Sequence, residues 1–450
     1  MSFLSKVKGW LSRMFSSSDI EKALGVKLPT APDMSVHISL WSRMLSGDAP
    51  WCDDAVRSLR LESGIVRELA NITVSEMTSS VSVPALDALY QTAIRKLSQR
   101  IQAGLATGAM CIKPLPDGNV QYIPQSAFTP VRFDAAGRLV SVVFPETIRD
   151  GNDYYNRLEW HDLTPAGLTI INRAYLSHSA DTLGREIALN TRAEWANILP
   201  EVHYAGVTRP VYGYYVNPIE NTIDGSFAGV SVYAAAAEKI KQTDVQFGRL
   251  DWEFESGERA VHVDDTALKA HKDKDGKVHR DVERLNKRLY RGLNVMPGAD
   301  KELFEVFSPE FRDASLINGL EEYKREIEFI VGLAYGDISN PASVEKTATE
   351  VIAAKKRKYD TVTAIQSNLR DCLDDLVYAL AFYNALTLSG YEFICDFKDS
   401  ILVDEETERS HDMQMVSMGV MSLAEFRSKW MGEPIDVAEK NLPQPAAVLE

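Results

Sequence analysis

Apolar positions change their spacing several times along the 450-residue chain, and each change marks a boundary. The first fifteen residues, MSFLSKVKGWLSRMF, put Phe3, Val7, Trp10, Leu11 and Met14 on one helical face, with Lys6, Lys8 and Arg13 around them. Basic residues break every apolar run there, so the segment does not read as a signal peptide; a short packing helix at an assembly edge is the expectation. On to about residue 105 the spacing predicts helices and loops, with turns near Pro29, Pro32 and Pro50. From about 108 to 216 the pattern becomes that of strands. Turn signals at Pro116-Asp117-Gly118-Asn119 and Asp134-Ala135-Ala136-Gly137 separate β-rich runs, including Gln121 to Ile123 and Leu139 to Phe144, which predicts an antiparallel meander.

The loop Asn217 to Gly229 leads into a helix over about Ser231–Glu255, with an apolar stripe of Tyr233, Ala237, Ile240, Phe247, Leu250 and Phe254. Asp244 falls on the same stripe and reads as a polar residue at a helix–helix contact. After an insertion at 256–311 comes a second stripe, Leu316, Leu320, Tyr323, Ile327, Ile330 and Ala334, running out at Gly332 and Gly336. A helix of about twenty-five residues spans close to 37 Å, so the two stripes predict a long side-by-side pair carrying the insertion at its far end. Asp337 to Glu345 reads as a loop from its Ser, Asn and Pro content. Helix resumes near Lys346-Thr347-Ala348 and is periodic through Val351, Val362, Ile365, Leu369, Cys372, Leu376 and Leu380. Tyr391 to Phe397 alternates as a strand, Ser422-Leu423-Ala424-Glu425 opens a last helical part, and the tail from Asn441 to Glu450 is expected to be disordered. The fold class expected from this succession is α+β.

Composition narrows the function. At 45% hydrophobic and 25% charged residues the chain is an ordinary folded protein of two to four domains by length. Its longest apolar run, Leu376 to Tyr383, is far short of the ~18 residues of a membrane span. The net charge of −15 argues against a protein that coats nucleic acid with its whole surface. Cys52, Cys111, Cys372 and Cys395 are widely spaced without a CxxC pair, as expected of buried thiols in a reducing cytoplasm.

Enzyme signatures are missing one by one: GxxxxGK[ST], GxGxxG after a strand, HExxH and GxSxG. The eight histidines show no i,i+4 pair. Asp273-Lys274-Asp275-Gly276-Lys277 looks like the middle of a calcium loop, but aligned on Gly276 the first ligand position is His271 and the twelfth Val282, so it reads as a charged hairpin turn. No cofactor and no metal are expected, and the chain reads as a non-enzyme. Between Lys269 and Lys301, ten Lys or Arg stand against five acids, a local +5 that reverses the sign of the whole. Aromatic residues are few in this insertion, Tyr290 and Phe304 with Phe307 and Phe311 at its end, which does not support base stacking. Lys355-Lys356-Arg357-Lys358 places four basic residues around a helix, so some must face neighbouring segments or another subunit.

Four stretches, in this order, resemble the portal (head-to-tail connector) proteins of tailed bacteriophages, in the branch found in siphophages of Gram-positive hosts. They are Gln121 to Phe144; Tyr215-Val216-Asn217-Pro218 through Gly229-Val230-Ser231-Val232; Phe307-Ser308-Pro309-Glu310-Phe311-Arg312; and Gly332-Leu333-Ala334-Tyr335-Gly336 followed by Lys346-Thr347-Ala348-Thr349-Glu350-Val351. The family's usual turn after the second long helix has Ser-Pro where this chain has Ala334-Tyr335.

The resemblance implies a ring of about twelve subunits at one capsid vertex, with a central tunnel through which double-stranded DNA is packaged and ejected. It implies a portal-type fold: wing 1–229, first stem helix 230–255, clip 256–311, second stem helix 312–336, tunnel loop 337–345, long wing helix 346–389, and crown with tail 390–450. Tunnel-loop candidates for the DNA channel are Asp337, Asn340, Ser343, Glu345 and Lys346. The clip residues Lys277, Arg280, Arg284, Lys287, Arg288 and Arg291 are candidates for partner docking. Implied partners are further copies of the chain, DNA without sequence specificity, the terminase motor, head-completion connectors, and capsid and scaffolding proteins, with no membrane. The implied location is the virion, and the host cytoplasm during assembly. Two readings from other classes stand beside it: a metal-dependent nucleic-acid-processing enzyme using acids such as Asp264 with Asp265, and a peripheral membrane scaffold acting through the first fifteen residues.

Overall fold

A computed structural model describes residues 15–116, 118–257, 260–264, 269–281, 290–293, 304–307, 310–341, 348–386, 390–397 and 405–442. The N-terminal third supplies helices α1 (Ser17–Leu24), α2 (Pro32–Ser46), α3 (Leu61–Ser75), α4 (Pro84–Ile94) and α5 (Leu97–Thr107), with one short strand, β1 (Met77–Val81), among them. In α2, Pro32 sits in the first turn, where its missing N–H costs nothing, and Gly47 closes the helix at φ +70°. Between them Met34, Ile38, Trp41 and Met44 are buried at helical spacing.

The antiparallel meander forms as expected. Strands β4 (Thr129–Phe133), β5 (Leu139–Asp150), β6 (Asp153–Thr164), β7 (Gly167–Ser177) and β8 (Arg185–Ile187) lie in that order, and β9 (Glu201–Ala205) also pairs with β7. The β6–β7 register runs unbroken from Tyr154 opposite Ser177 to Thr164 opposite Gly167. A separate sheet orders β10 (Gly213–Val216), β2 (Ala109–Pro114) and β3 (Val120–Pro124). Helix α1 covers part of the large sheet by packing Phe15, Ile20 and Leu24 on Val131, Val143, Leu158 and Tyr175.

Two helices then make the long pair: α6 (Ala237–Ser256) and α7 (Asp313–Val331). The insertion between them carries β11 (Ala260–Asp264), β12 (Lys269–Lys272), β13 (Val278–Asp281), β14 (Tyr290–Leu293) and β15 (Phe304–Phe307). Strands β12 and β13 form a hairpin, while β11 is the centre of a three-stranded sheet, parallel to β14 and antiparallel to β15. The helix α8 (Ala348–Tyr383) runs through the main apolar cluster, burying Val362, Ile365, Leu369, Cys372, Leu376 and Leu380 against α3, α4 and strands β2, β10 and β16 (Phe393–Phe397). Strand β16 returns to pair antiparallel with β1, Met77 opposite Phe397. The C-terminal helices are α9 (Glu405–Ser417), α10 (Leu423–Met431) and α11 (Ile435–Lys440), and the expected capping box opens α10, with Ser422 N–H on Glu425 Oε2 at 2.8 Å and Glu425 N–H on Ser422 Oγ at 3.1 Å.

Three details differ from the sequence reading. Residues 1 to 105 are not only helix and loop, because β1 lies among them. The first long helix begins at Ala237 after a short 3-10 turn at Ala234–Ala236, later than residue 231. Cys52 is half-buried whereas Cys111, Cys372 and Cys395 are buried, all as free thiols.

Candidate functional site

The long pair is fastened at three levels. At its base Lys239 pairs with Glu326 and lies 5.5 Å from the Tyr323 ring centre. Midway, Gln246 Nε2 donates to the Leu316 carbonyl at 3.3 Å. At the insertion end the Glu253 carboxylate accepts from Arg312 three times: N–H at 2.9 Å, Nε at 3.2 Å and Nη2 at 2.7 Å. Those bonds hold the Glu253 carboxyl below the usual carboxylate range. Gly257 is needed beside them, because a Cβ there would stand 2.5 Å from Phe311 Cε1.

Asp244 proves to be a helix-to-loop tie, not a helix–helix contact. It is fully buried on α6, and its carboxylate accepts from Trp51 Nε1 at 2.9 Å and Leu59 N–H at 2.8 Å, holding the segment before α3. Burial pushes its carboxyl up despite those two donors. Nearby, Glu62 in the first turn of α3 is fully buried, and neither carboxyl oxygen has a hydrogen-bond partner among the described residues.

At the other end of the pair the chain leaves α7 through Gly332 at φ +78°, where a Cβ would meet Thr361 Oγ1 of α8 at 2.2 Å. Only glycine meets both the left-handed backbone and the close approach. The buried Glu328 carboxylate then gathers the next segment: it accepts from Gly336 N–H at 3.1 Å, Ile338 N–H at 2.6 Å, Ser339 N–H at 2.8 Å and Ser339 Oγ at 2.8 Å. Two turns earlier on α7, Glu321 Oε2 accepts from Asn340 N–H at 2.6 Å and pairs with Lys324. Burial raises the Glu321 carboxyl, but the Lys324 ammonium and the Asn340 N–H outweigh it and hold the group below its ordinary range.

The long helix completes the anchorage. Asp337 accepts from Ala334 N–H at 2.9 Å and pairs with Lys358 at 3.0 Å, and Lys358 also reaches Glu68 of α3 at 3.2 Å. Arg357 Nη2 donates to the Leu333 carbonyl at 3.2 Å, and its guanidinium lies 4.8 Å from the Phe329 ring centre and 5.2 Å from that of Tyr335. Tyr335, standing where the resembling family has proline, thus serves as an aromatic platform for a cation. Of the four consecutive basic residues, Lys355 and Lys356 are exposed while Arg357 and Lys358 turn inward to neighbouring segments.

Asp337 and Asn340 therefore lie together in this pinned segment, whereas Ser343, Glu345 and Lys346 lie outside the described residues. In the insertion, Lys277 is exposed at the hairpin turn, which Asp273 closes by accepting from Asp275 N–H at 3.0 Å and Lys277 N–H at 2.9 Å. Arg280 is in β13 opposite Ala270, and Arg291 in β14 opposite His262. Arg284, Lys287 and Arg288 lie outside the described residues. The described members of the two groups, Asp337 and Asn340 in one and Lys277, Arg280 and Arg291 in the other, lie in segments that leave opposite ends of the helix pair, a helix length of about 30 Å apart. Glu328, Glu321, Arg357 and Lys358 organise the segment; the run of four basic residues marks the last two in the sequence, but nothing marks the glutamates, each a charged residue on an amphipathic helix.

Among solved structures similar to this chain are three particle assemblies. The neck of the native GTA particle, computed with C12 symmetry, aligns over 93% of this chain and 99% of that chain at 14% identity and a TM-score of 0.46. The neck of the empty GTA particle, computed with C6 symmetry, aligns over 82% of this chain and 89% of that chain at 14% identity and 0.43. The virion of the native gene transfer agent particle aligns over 94% and 99% at 12% identity and 0.44. No protein-family model matches the sequence, and no curated protein does.

Among the described residues no three His, Cys, Asp or Glu side chains are grouped to hold a metal ion. Asp264 ends β11, and Asp265 lies outside the described residues. No helix of the described chain is long and apolar enough to cross a membrane.

Proposed function

We propose that the chain is a portal protein: about twelve copies close a ring whose tunnel passes double-stranded DNA at a capsid vertex. The observation that carries this is the antiparallel α6–α7 pair, with a separate β insertion at one end and, at the other, a loop pinned by buried carboxylates. Together with the ordered resemblance of four stretches, this matches what a stem, clip and tunnel loop require. The pair also leaves large apolar side chains uncovered, Trp252 at 65% exposure and Phe329 at 55%, with Phe254, Phe311 and Ile330. Apolar surface of this kind on a helix pair is surface that neighbours in a closed ring cover.

In this reading Asp337, Asn340, Ser343, Glu345 and Lys346 form the loop facing the DNA, and contacts there position the duplex without reading bases. The wall itself must avoid neutralising many phosphates, since each adds salt-dependent affinity that resists sliding. Lys277, Arg280, Arg284, Lys287, Arg288 and Arg291 make a basic mouth for acidic surfaces of the packaging motor or connector proteins. Electron microscopy of the purified chain tests the assembly: rings support it, and a monomer at every salt concentration refutes it. Lys346→Glu is expected to impair DNA packaging with rings intact. Charge reversal at Arg280, Arg284 and Arg288 is expected to weaken motor or connector binding, and unchanged binding refutes the docking role.

A further inference from the structure

A groove of about 900 Å³ opens on the flank of α2, walled by Phe15, Pro32, Val36, Leu40 and Pro50. Its floor is an unusual surface for this protein. Val36 is 66% exposed in mid-helix, on the side of α2 away from the buried Met34, Ile38 and Trp41. The rest of the wall is mostly small, with serines at 16–18, 35, 39, 42 and 126, and it carries two charges, Arg43 and the exposed Asp181.

We propose that this groove is the docking site of the chain's own residues 1–14. Three observations converge. First, the described chain starts on the groove wall: Phe15 lines it while its ring is buried with Ile20, Leu24 and the large sheet, so the preceding segment is tethered beside the groove. Second, α1 does not continue back through this point. Ser16 is extended at φ −56°, ψ 141°, and its hydroxyl caps α1 by accepting from Asp19 N–H at 3.1 Å, so the N-terminal side of α1 ends here. Third, those residues carry an apolar stripe, Phe3, Val7, Trp10, Leu11 and Met14, with Lys6, Lys8 and Arg13 beside it. As a helix they measure about 21 Å.

A segment tethered at the groove's edge meets it at an effective concentration that a free partner does not reach, which selects the chain's own segment over a second copy. Docking turns the apolar stripe onto Val36 and Leu40 and leaves the three basic residues outward, near Asp181. The segment is then a clasp on the wing flank, not a membrane anchor. This does not depend on ring formation, so the two proposals fail separately.

The test is a disulfide trap in the full-length chain. Trp10→Cys is combined with Val36→Cys in a Cys52→Ser background, with Trp10→Cys and Ile435→Cys as the remote control. Mild oxidation is expected to join residues 10 and 36 within one chain, read by peptide mapping and by monomer mobility on a non-reducing gel, and to leave the control unlinked. Links between chains overturn docking in cis, and no link overturns the groove as the site. Trypsin gives a second readout, because Val36→Asp changes only an exposed side chain. Cleavage after Lys6, Lys8 and Arg13 is expected to accelerate about tenfold in Val36→Asp, and an unchanged rate contradicts the proposal.

Discussion

The most quantitative consequence of the structure lies at Glu62. Its carboxyl is fully buried with no well-formed hydrogen bond among the described residues; burial, with the nearby Asp244 carboxylate, pushes it up from 4.5 to about 7, against smaller opposing pulls from its own backbone N–H, too poorly placed to count as a full bond, and from Arg60. The groups that face it are Asp244 from α6, Arg60 from the lead into α3, the thiol of Cys52, and the phenol of Tyr233, itself tied to the Trp41 carbonyl at 2.7 Å. A carboxyl raised in the folded state binds more protons there than in the open state, so stability falls as pH rises. The fall begins near the ordinary carboxylate value, ends near 7, and is flat above. The rise in pKa corresponds to about 3 kcal/mol of lost stability across that window, or roughly a hundredfold in local opening.

Glu62→Gln keeps the shape and removes the charge. Amide exchange across 61–75, expressed as protection factors, reads the opening of α3 directly. Wild type is expected to lose about a hundredfold in protection between pH 4.5 and pH 8, and Glu62→Gln to lose little; the two coincide at pH 4.5. Glu62→Met, with no polar atom to bury, is expected to be at least as protected as Glu62→Gln at pH 8. Parallel curves for wild type and Glu62→Gln, or a less protected Gln variant at pH 8, refute the assignment of Glu62 as a buried acid whose protonated form the fold favours.

Other perturbations follow from single contacts. Gly332→Ala combines a left-handed φ with a Cβ 2.2 Å from Thr361 Oγ1, so it is expected to cost about 2 kcal/mol in thermal unfolding, with partial recovery in Gly332→Ala/Thr361→Ala. Glu328→Ala strips the acceptor from three backbone N–H groups, and limited proteolysis between 336 and 341 is expected to speed up at least tenfold; an unchanged rate removes Glu328 as the anchor. Asp244→Asn leaves one of its two donors, Trp51 Nε1 or Leu59 N–H, facing an amide –NH2, and is expected to cost about 1–2 kcal/mol, read by denaturation.

Local signals were legible in the sequence wherever one element supplies its own evidence. The meander, the hairpin turn at Asp273–Lys277, the two long stripes and the Ser422–Glu425 capping box all declare themselves within a few residues. Pairings across the chain did not. Strand β1, Met77-Thr78-Ser79-Ser80-Val81, is short and mostly polar, and its partner β16 lies more than three hundred residues on, so neither carries a trace of the other. The far end of the first stripe misled in a different way: Phe254 keeps the helical period yet is exposed, because periodicity records a face and not what covers it. Buried acids are harder still. Glu62 reads as a favourable first-turn carboxylate and Glu328 as a solvated helix residue until the fold places one in the core and three amides around the other.

That last point alters the meaning of the net charge of −15. Many acids here are fasteners for backbone amides of distant or following segments: Glu21 for Leu28, Asp224 for Ala31, Asp244 for Leu59, Glu253 for Arg312, Glu321 for Asn340 and Glu328 for the Gly336–Ser339 stretch. A carboxylate used in this way is held in place, and several are shielded from solvent. In the proposed channel, the potential a passing polyanion would meet is set instead by what remains exposed along the pair, Glu238, Asp251, Glu255 and Glu322 against Arg249. The balance is still negative, so the argument for a non-adhesive wall survives, but on these four acids and not on the chain's total. In the proposed ring, replacing them together with glutamine leaves Arg249 unopposed and is expected to make DNA retention steeper in salt, by at most the one phosphate per subunit that Arg249 can then neutralise, about 0.9 in the logarithmic slope. An unchanged slope would move the DNA-facing surface to the other side of the helix pair.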